Sequence, residues 1–364
     1  MHLLEPREHP SQLMKWLSPV IALGATLLLG SLLFLILGVN PAQALYIFFI
    51  EPFTSLYHLS ELAIKASPLI LIALGLAVGF RAKLFNIGAE GQLIMGAIFG
   101  GGIAILFYEQ AGFWILPLMF IMAAIGGALW GLIPALLKTH FNAEETLTTL
   151  MMNYVALFLL LYLVNGPWRD PDGMNFPQSV MFSDSAILPY VIEGTRVNAS
   201  IFITAIAVIL FWLFISKSSA AYKLEVSGQA PLAAKYAGFS AKKAIWLSLG
   251  LSGLMAGIAG IAEVAGPIGQ LNPNISPGYG YAAIIVAYLG RLNPFGIVLA
   301  GLLMALIYLG GELAQMQLQL PVAITGIFQG LLLFFLLASD ALIENRYRFA
   351  RKKKIPSSSQ LETA

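Results

Sequence analysis

The chain has 364 residues, of which 59% are hydrophobic and only 10% charged. A soluble domain carries about 25% charged residues to cover its surface, so this chain cannot clothe a globule of its size in polar side chains, and lipid must be its main solvent. With no Cys it has neither disulfides nor thiolate chemistry; at a net charge of +2 its one basic run, Arg346–Lys354, adjoins an apolar segment, and nothing resembles a nucleic-acid-binding arm.

In chain order, ten apolar segments fall near 17–38, 60–80, 91–108, 113–137, 147–165, 198–216, 244–264, 281–290, 295–312 and 321–340. The first follows Lys15 and precedes Ala42-Gln43-Ala44, which has the look of a signal-peptidase site. A signal core is only about 7–15 residues long. This stretch can cross a bilayer at about 1.5 Å per residue, so it reads as a retained first helix. Segment 41–58, broken by Pro41 and Pro52 and carrying Phe48 and Phe49, reads as interfacial. Segment 281–290 is too short to span alone unless it extends back through Tyr279 or is a re-entrant half-helix.

Short cytoplasmic loops are enriched in Lys and Arg. Ten crossings with the N-terminus inside put 17 of the 20 basic residues on the inner side, leaving Lys65, Arg169 and Arg196 outside. The expected fold is therefore an all-α, polytopic transmembrane helix bundle of about ten spans, N-in and C-in. Residues 1–16 form a cytoplasmic N-terminus, 17–340 the transmembrane domain and 341–364 a basic cytoplasmic tail. The domain carries a turn-rich external loop at 166–198 and a cytoplasmic loop at 217–243. Gly75/Gly79, Gly96/Gly100, Gly127/Gly131 and Gly253/Gly257 each form a small-residue face of the kind that lets membrane helices approach closely.

Enzyme chemistry finds little purchase. His2, His9, His58 and His140 have no metal-ligand spacing, and no G-x-S-x-G, H-E-x-x-H or G-x-x-x-x-G-K-[ST] motif occurs. Without a phosphate loop, active transport must draw on an ion gradient or on a partner protein. The loop Ser227–Gly238 (SGQAPLAAKYAG) reads as a short helix, with Pro231 in its first turn and Gly238 at the left-handed cap. Ala230, Ala233, Ala234 and Ala237 then share one smooth face. Such a face suits either a docking partner or the membrane surface.

This loop resembles the coupling loop of ABC importer permeases. Three further stretches resemble the nucleoside branch of those permeases, related to the ribose and branched-chain amino-acid types: Phe85–Gln92 (FNIGAEGQ), Glu145 through Asn153-Tyr154, and Tyr288–Gly296 (YLGRLNPFG). The resemblance covers roughly residues 60–340. At Gly278–Ala283 (GYGYAA) the acidic residue expected after the aromatic is missing. The resemblance implies a permease subunit in the bacterial plasma membrane translocating a nucleoside or related sugar-containing solute, with a simple-sugar permease as the alternative. It implies three protein partners: an ABC ATPase, a second and different permease, and an extracytoplasmic solute-binding protein. No cofactor is expected on this chain, since ATP and Mg belong to the ATPase. Gln229, Ala233, Ala234, Tyr236 and Gly238 are the candidate coupling residues.

A charge at the bilayer centre costs about 2.5–3.5 kcal/mol on insertion scales, so Glu90, Thr149 and Asn153 are candidates for the translocation path as polar residues at depth, and Asn86 and Gln92 join them from the Phe85–Gln92 stretch that carries the resemblance. Glu90 reads as a helix break near the path or as an ion-pair partner of Lys83 or Arg81. Asn153 reads as a ligand for a solute hydroxyl or as an interhelical hydrogen-bonding group. A base wants an aromatic platform, but 23 Phe and 6 Trp single none out. An ion-coupled transporter predicts carboxylates at mid-depth and paired discontinuous helices. Glu263 and Glu312 fall at external span ends, which disfavours that class.

Overall fold

The computed structural model describes residues 4–6 and 11–347. The helices are α1 (Gln12–Ile36), α2 (Pro41–Phe49), α3 (Leu56–Arg81), α4 (Ala89–Leu106), α5 (Ile115–Phe141), α6 (Glu145–Asn165) and α7 (Ser200–Lys217). They continue as α8 (Ser219–Gln229), α9 (Pro231–Tyr236), α10 (Ala241–Glu263), α11 (Tyr279–Leu289), α12 (Pro294–Leu318) and α13 (Ala323–Glu344). Among the described residues nine helices are long and apolar enough to cross a membrane. The segment expected at 281–290 is the exception: α11 starts at Tyr279 and has 11 residues. At about 1.5 Å per residue it is roughly 16 Å long, half of a hydrocarbon core of about 30 Å. It is a half-helix, and the non-helical chain leading into it completes the tenth crossing.

Both chain ends lie at one face, called here the terminal face. β1 (Leu4–Pro6) pairs antiparallel with β2 (Asn345–Tyr347), and the Ser11 N–H donates to the Ile343 carbonyl at 3.0 Å. The last helix runs four residues past the expected boundary at 340. Arg7 and the basic run from Arg348 to Lys354 lie outside the described residues.

Helix α3 is the hub, with most of its length buried against α7, α10, α11 and α12. Helices α4, α5 and α10 cross almost backbone to backbone. A Cβ on Gly96 would overlap the Gly257 backbone, and one on Gly257 would overlap the Ala123 carbonyl. Since lipid supplies no hydrophobic drive between helices, this close approach is what holds the three together. Helix α2 is more deeply seated than an interfacial segment. Its Phe48 is fully buried and stacks on Phe328 with ring centroids 5.1 Å apart. On the opposite face, loop 166–198 is folded rather than loose. Ser179, Phe182 and Leu188 donate backbone bonds of 2.8 Å to Leu271, Gly269 and Ala265 respectively, closing the loop over the turn that follows α10.

Candidate functional site

Four of the five polar residues expected along the path, Asn86, Gln92, Thr149 and Asn153, converge by hydrogen bonds on the chain around the start of α4, and the fifth, Glu90, faces α11 beside them. Between α3 and α4 the chain leaves helical geometry, with Lys83 at φ 53°, and residues 84–88 turn back into the bundle. Asn86 is 1% exposed. Its Oδ1 accepts from the Gly88 N–H at 2.8 Å, and its Nδ2 donates to Gln92 Oε1 at 3.0 Å and to Ser252 Oγ on α10 at 2.8 Å. From α6, Thr149 Oγ1 accepts from the Ile87 N–H at 3.2 Å. Asn153 Oδ1 accepts from the Gly91 N–H at 2.8 Å. The Asn153 Nδ2 donates to the Ile87 carbonyl at 2.9 Å and to Tyr281 Oη at 3.0 Å. A helix start leaves up to four N–H groups without intrahelical partners, and in a dry interior each must be satisfied. Here side chains from α6 and the preceding turn supply the acceptors, which is why a non-helical segment is tolerated at that depth.

Glu90 does not pair with Arg81 or Lys83. It is 8% exposed, and its Oε2 accepts from the Gly280 N–H at the start of α11, at 2.7 Å. The carboxylate thus lies at the N-terminal ends of two helices, α4 and α11. Each partial positive pole is worth about 0.3–1 kcal/mol to an anion, and up to about 2 where partly buried. The far end of α11 adjoins Arg291, which forms a forked pair with Asp340 at 2.6 and 2.7 Å on the terminal face. Glu90 therefore sits roughly 16 Å in from that face, near mid-depth. A carboxylate near mid-depth and one discontinuous helix are present, but a single half-helix is not the pair that an ion-coupled transporter predicts, so that class remains disfavoured.

On the face opposite the termini Glu312 is half-exposed and pairs with Lys65 at 2.8 Å, as an interfacial residue can. Glu263 is only partly exposed. Glu61, which sequence reasoning passed over, is 7% exposed and pairs with Arg196 at 3.4 Å. Its position four residues before Lys65 was the available signal. An apolar cleft of about 500 Å³ between the outer ends of α4 and α6, with Trp168 at its edge, contains none of the polar cluster.

The candidate coupling residues form a second site on the terminal face. The stretch expected as one helix breaks at Ala230 (φ −138°, ψ 71°), so Gln229 ends α8 and Pro231 opens α9. Gly238 takes the left-handed cap at φ 75°, and the Phe239 N–H closes the turn on the Ala234 carbonyl at 2.9 Å. Ala234 is 3% exposed and packs inward, whereas Tyr236 is 93% and Leu232 75% exposed. Ala234 thus lies on the side of the six-residue helix that faces its own loop, away from the exposed Leu232 and Tyr236. Gln229, Ala233 and Gly238 remain exposed.

This loop is tied into the bundle. Gln229 Nε2 donates to Glu225 Oε1 at 3.0 Å, and Glu225 Oε2 lies 3.5 Å from an Arg81 nitrogen. The other Arg81 terminal nitrogen donates to the Leu292 carbonyl at 2.9 Å. Leu292 belongs to the turn between α11 and α12, where Arg291 and Leu292 both have positive φ. Sequence reasoning missed Arg81 in this role, since 144 and 211 residues separate it from its partners.

Comparison with known proteins gives the family. Residues 58–337 match the model of the branched-chain amino acid transport system / permease component family. A glucose ABC transporter permease protein of Haloferax volcanii is 35% identical over 355 residues, covering 95% of this chain and 92% of the relative. A guanosine ABC transporter permease protein of Bacillus subtilis is 31% identical over 340 residues, covering 93% and 97%. A nucleoside ABC transporter permease protein of Lactococcus lactis is 30% identical over 304 residues, covering 81% and 84%. Nine apolar spans, no phosphate loop and a loop braced on the terminal face fit such a subunit: the chain belongs to the ABC-transporter permease family, a multi-pass plasma-membrane transport component that works with an ATPase partner and is not itself an enzyme.

Proposed function

We propose that this chain forms half of the pathway of an ATP-driven importer for a neutral nucleoside or a related sugar-containing solute. In this reading the terminal face is cytoplasmic, as the distribution of Lys and Arg favours. An ATPase docks on Tyr236, Leu232, Ala233 and the Gly238 turn, with ATP and Mg held on that partner. A second, different permease completes the channel. A solute-binding protein delivers its cargo at the face bearing loop 166–198.

The observation that carries the reading is the line of contacts from α8, whose end leads directly into the exposed α9, through Glu225 and Arg81 to the α11–α12 turn. The same half-helix holds the Glu90 carboxylate at its other end. A push on α9 is thereby delivered to a mid-membrane helix end, which is what alternating access requires of a subunit without its own phosphate loop. The relatives' names favour guanosine, other nucleosides and glucose as solute classes.

Purification of the tagged chain from its native membrane in mild detergent tests this. A phosphate-loop ATPase and a second permease should accompany it. Recovery of the chain alone, moving solute in vesicles without ATP, would refute it.

A further inference from the structure

Two tyrosines sit where membrane proteins do not ordinarily leave them uncovered. Tyr154 is the tenth residue of the 21-residue α6 and thus near mid-span. Tyr281 is the third residue of α11, next to the Gly280 that binds Glu90. They are 52% and 40% exposed. They are neighbours, because Asn153, adjacent to Tyr154 in the chain, donates to Tyr281 Oη at 3.0 Å. Tyrosine at a lipid boundary concentrates at the two interfaces, where its hydroxyl meets water. Neither hydroxyl here donates to an acceptor among the described residues.

The chain entering α11 points the same way. Pro277 is exposed, and Ser276 and Gly278 are partly so, at a depth where non-helical backbone is tolerated only against protein or water. The uncovered face that joins Pro277, Tyr281 and Tyr154 is therefore not a lipid face.

We infer that Tyr154 and Tyr281 line a wet cavity at mid-depth and form the solute-contacting surface of this subunit. Their rings take the flat face of a base or the C–H face of a sugar. Their free O–H groups donate to a ring or hydroxyl oxygen, while Asn153 fixes the Tyr281 ring in place. No Lys or Arg occurs in α4, α6 or α11, and Glu90 lies directly behind. A phosphate dianion thus finds no partner and meets a buried carboxylate, at a desolvation cost it cannot recover. The surface selects a neutral ring-bearing solute, a nucleoside or hexose, and rejects its phosphorylated form. This rests on the importer reading above and adds to it where the solute is held.

The chain has no Cys, so single-cysteine variants need no background substitutions. Tyr154→Cys, Tyr281→Cys and, as a reactive control, Met174→Cys in the outer loop (88% exposed) are assembled with the ATPase and second permease in proteoliposomes. They are then exposed to a small, charged, membrane-impermeant methanethiosulfonate. Both tyrosine positions should label. Saturating guanosine or glucose should slow labelling at least threefold, and guanosine monophosphate should not. In parallel, Tyr281→Phe, which keeps the ring, should raise the half-saturating solute concentration about two- to tenfold, one neutral hydrogen bond's worth. Failure of both positions to label while Met174→Cys reacts would mean that protein fills the face, and would overturn the inference. Labelling that neither solute slows, or that the monophosphate slows equally, would overturn it as well. ATP-driven uptake by the wild-type complex, measured in the same vesicles, tests the importer reading separately: uptake without mid-depth labelling defeats only the site.

Discussion

Replacing Arg81 by Gln cuts the line from α9 to α11 at its centre. The side chain makes two contacts of unequal worth. Its bond to the Leu292 carbonyl is 2.9 Å long and has a charged donor, worth about 1.5–3 kcal/mol. Its ion pair with Glu225 is long, 3.5 Å, with side chains 22% and 43% exposed, so it contributes about 0–1 kcal/mol. Arg81 is thus the joint between two links in series, the stronger to the α11–α12 turn and the weaker to α8. At 1.4 kcal/mol per decade, loss of the Leu292 link alone, about 1.5–3 kcal/mol, relaxes the turn roughly 10- to 100-fold. Reconstituted with its partners, Arg81→Gln should keep basal ATP hydrolysis within about twofold while solute uptake per ATP falls at least tenfold. Glu225→Gln keeps an amide oxygen to accept from Arg81 and gives up only the about 0–1 kcal/mol of the ion pair, so it should cost uptake at most about fivefold. Uptake in Arg81→Gln within twofold of wild type, in a variant shown to insert and assemble normally, would refute the mechanical role of this residue.

Four further outcomes follow from the same geometry. Gly257→Leu should prevent α4, α5 and α10 from closing, because even a Cβ there meets the Ala123 carbonyl; the readout is loss of a monodisperse species on size exclusion, with a conservative Leu251→Ile tolerated. Glu90→Gln keeps an oxygen acceptor for the Gly280 N–H and should retain assembly, whereas Glu90→Ala leaves that donor buried and should lower thermal stability by an amount set by a penalty of about 1–3 kcal/mol. Tyr236→Asp should weaken ATPase capture without altering the folded chain, since the side chain is 93% exposed, whereas Ala234→Asp should disrupt the loop itself; pull-down and limited proteolysis separate the two. Glu144 caps α6 through the Leu147 N–H, and hydrogen bonds from Thr146 and then Leu147 hold its carboxyl below the usual 4.5. With the folded-state value depressed, the cap is fully present above pH 4.5 and is lost as pH falls through the lower folded value; the protection of the Leu147 amide, measured relative to its intrinsic exchange rate at each pH, should fall over that acid window and stay constant in Glu144→Gln.

Much of this was legible in the residues. Span count and the choice of Glu90, Thr149 and Asn153 came from hydropathy and from the cost of polar groups at depth, both properties of composition along one segment, while Asn86 and Gln92 came from the Phe85–Gln92 stretch that carries the resemblance. Pro231 and Gly238 mark their helix ends by backbone preference, a local effect. What was not legible depends on which way a residue faces or on partners far along the chain. Ala233 and Ala234 are chemically identical, and only the break at Ala230 decides that one is exposed and the other buried. Glu90 lies nine residues from Arg81, yet its partner is 190 residues away. Tyr281 drew notice only within Gly278–Ala283, where an expected acidic residue is missing, because its meaning comes from the depth at which α11 begins.

If ATP hydrolysis on a partner, transmitted through α9 and Arg81, drives solute across this chain, it will show in uptake of radiolabelled guanosine and glucose into proteoliposomes holding this chain, its second permease and its ATPase, with the solute-binding protein outside. Uptake of at least one solute should need ATP inside, stop when a non-hydrolysable analogue replaces it, and be unaffected by collapsing proton and sodium gradients. Uptake by this chain alone, driven by an ion gradient and indifferent to ATP, would contradict it.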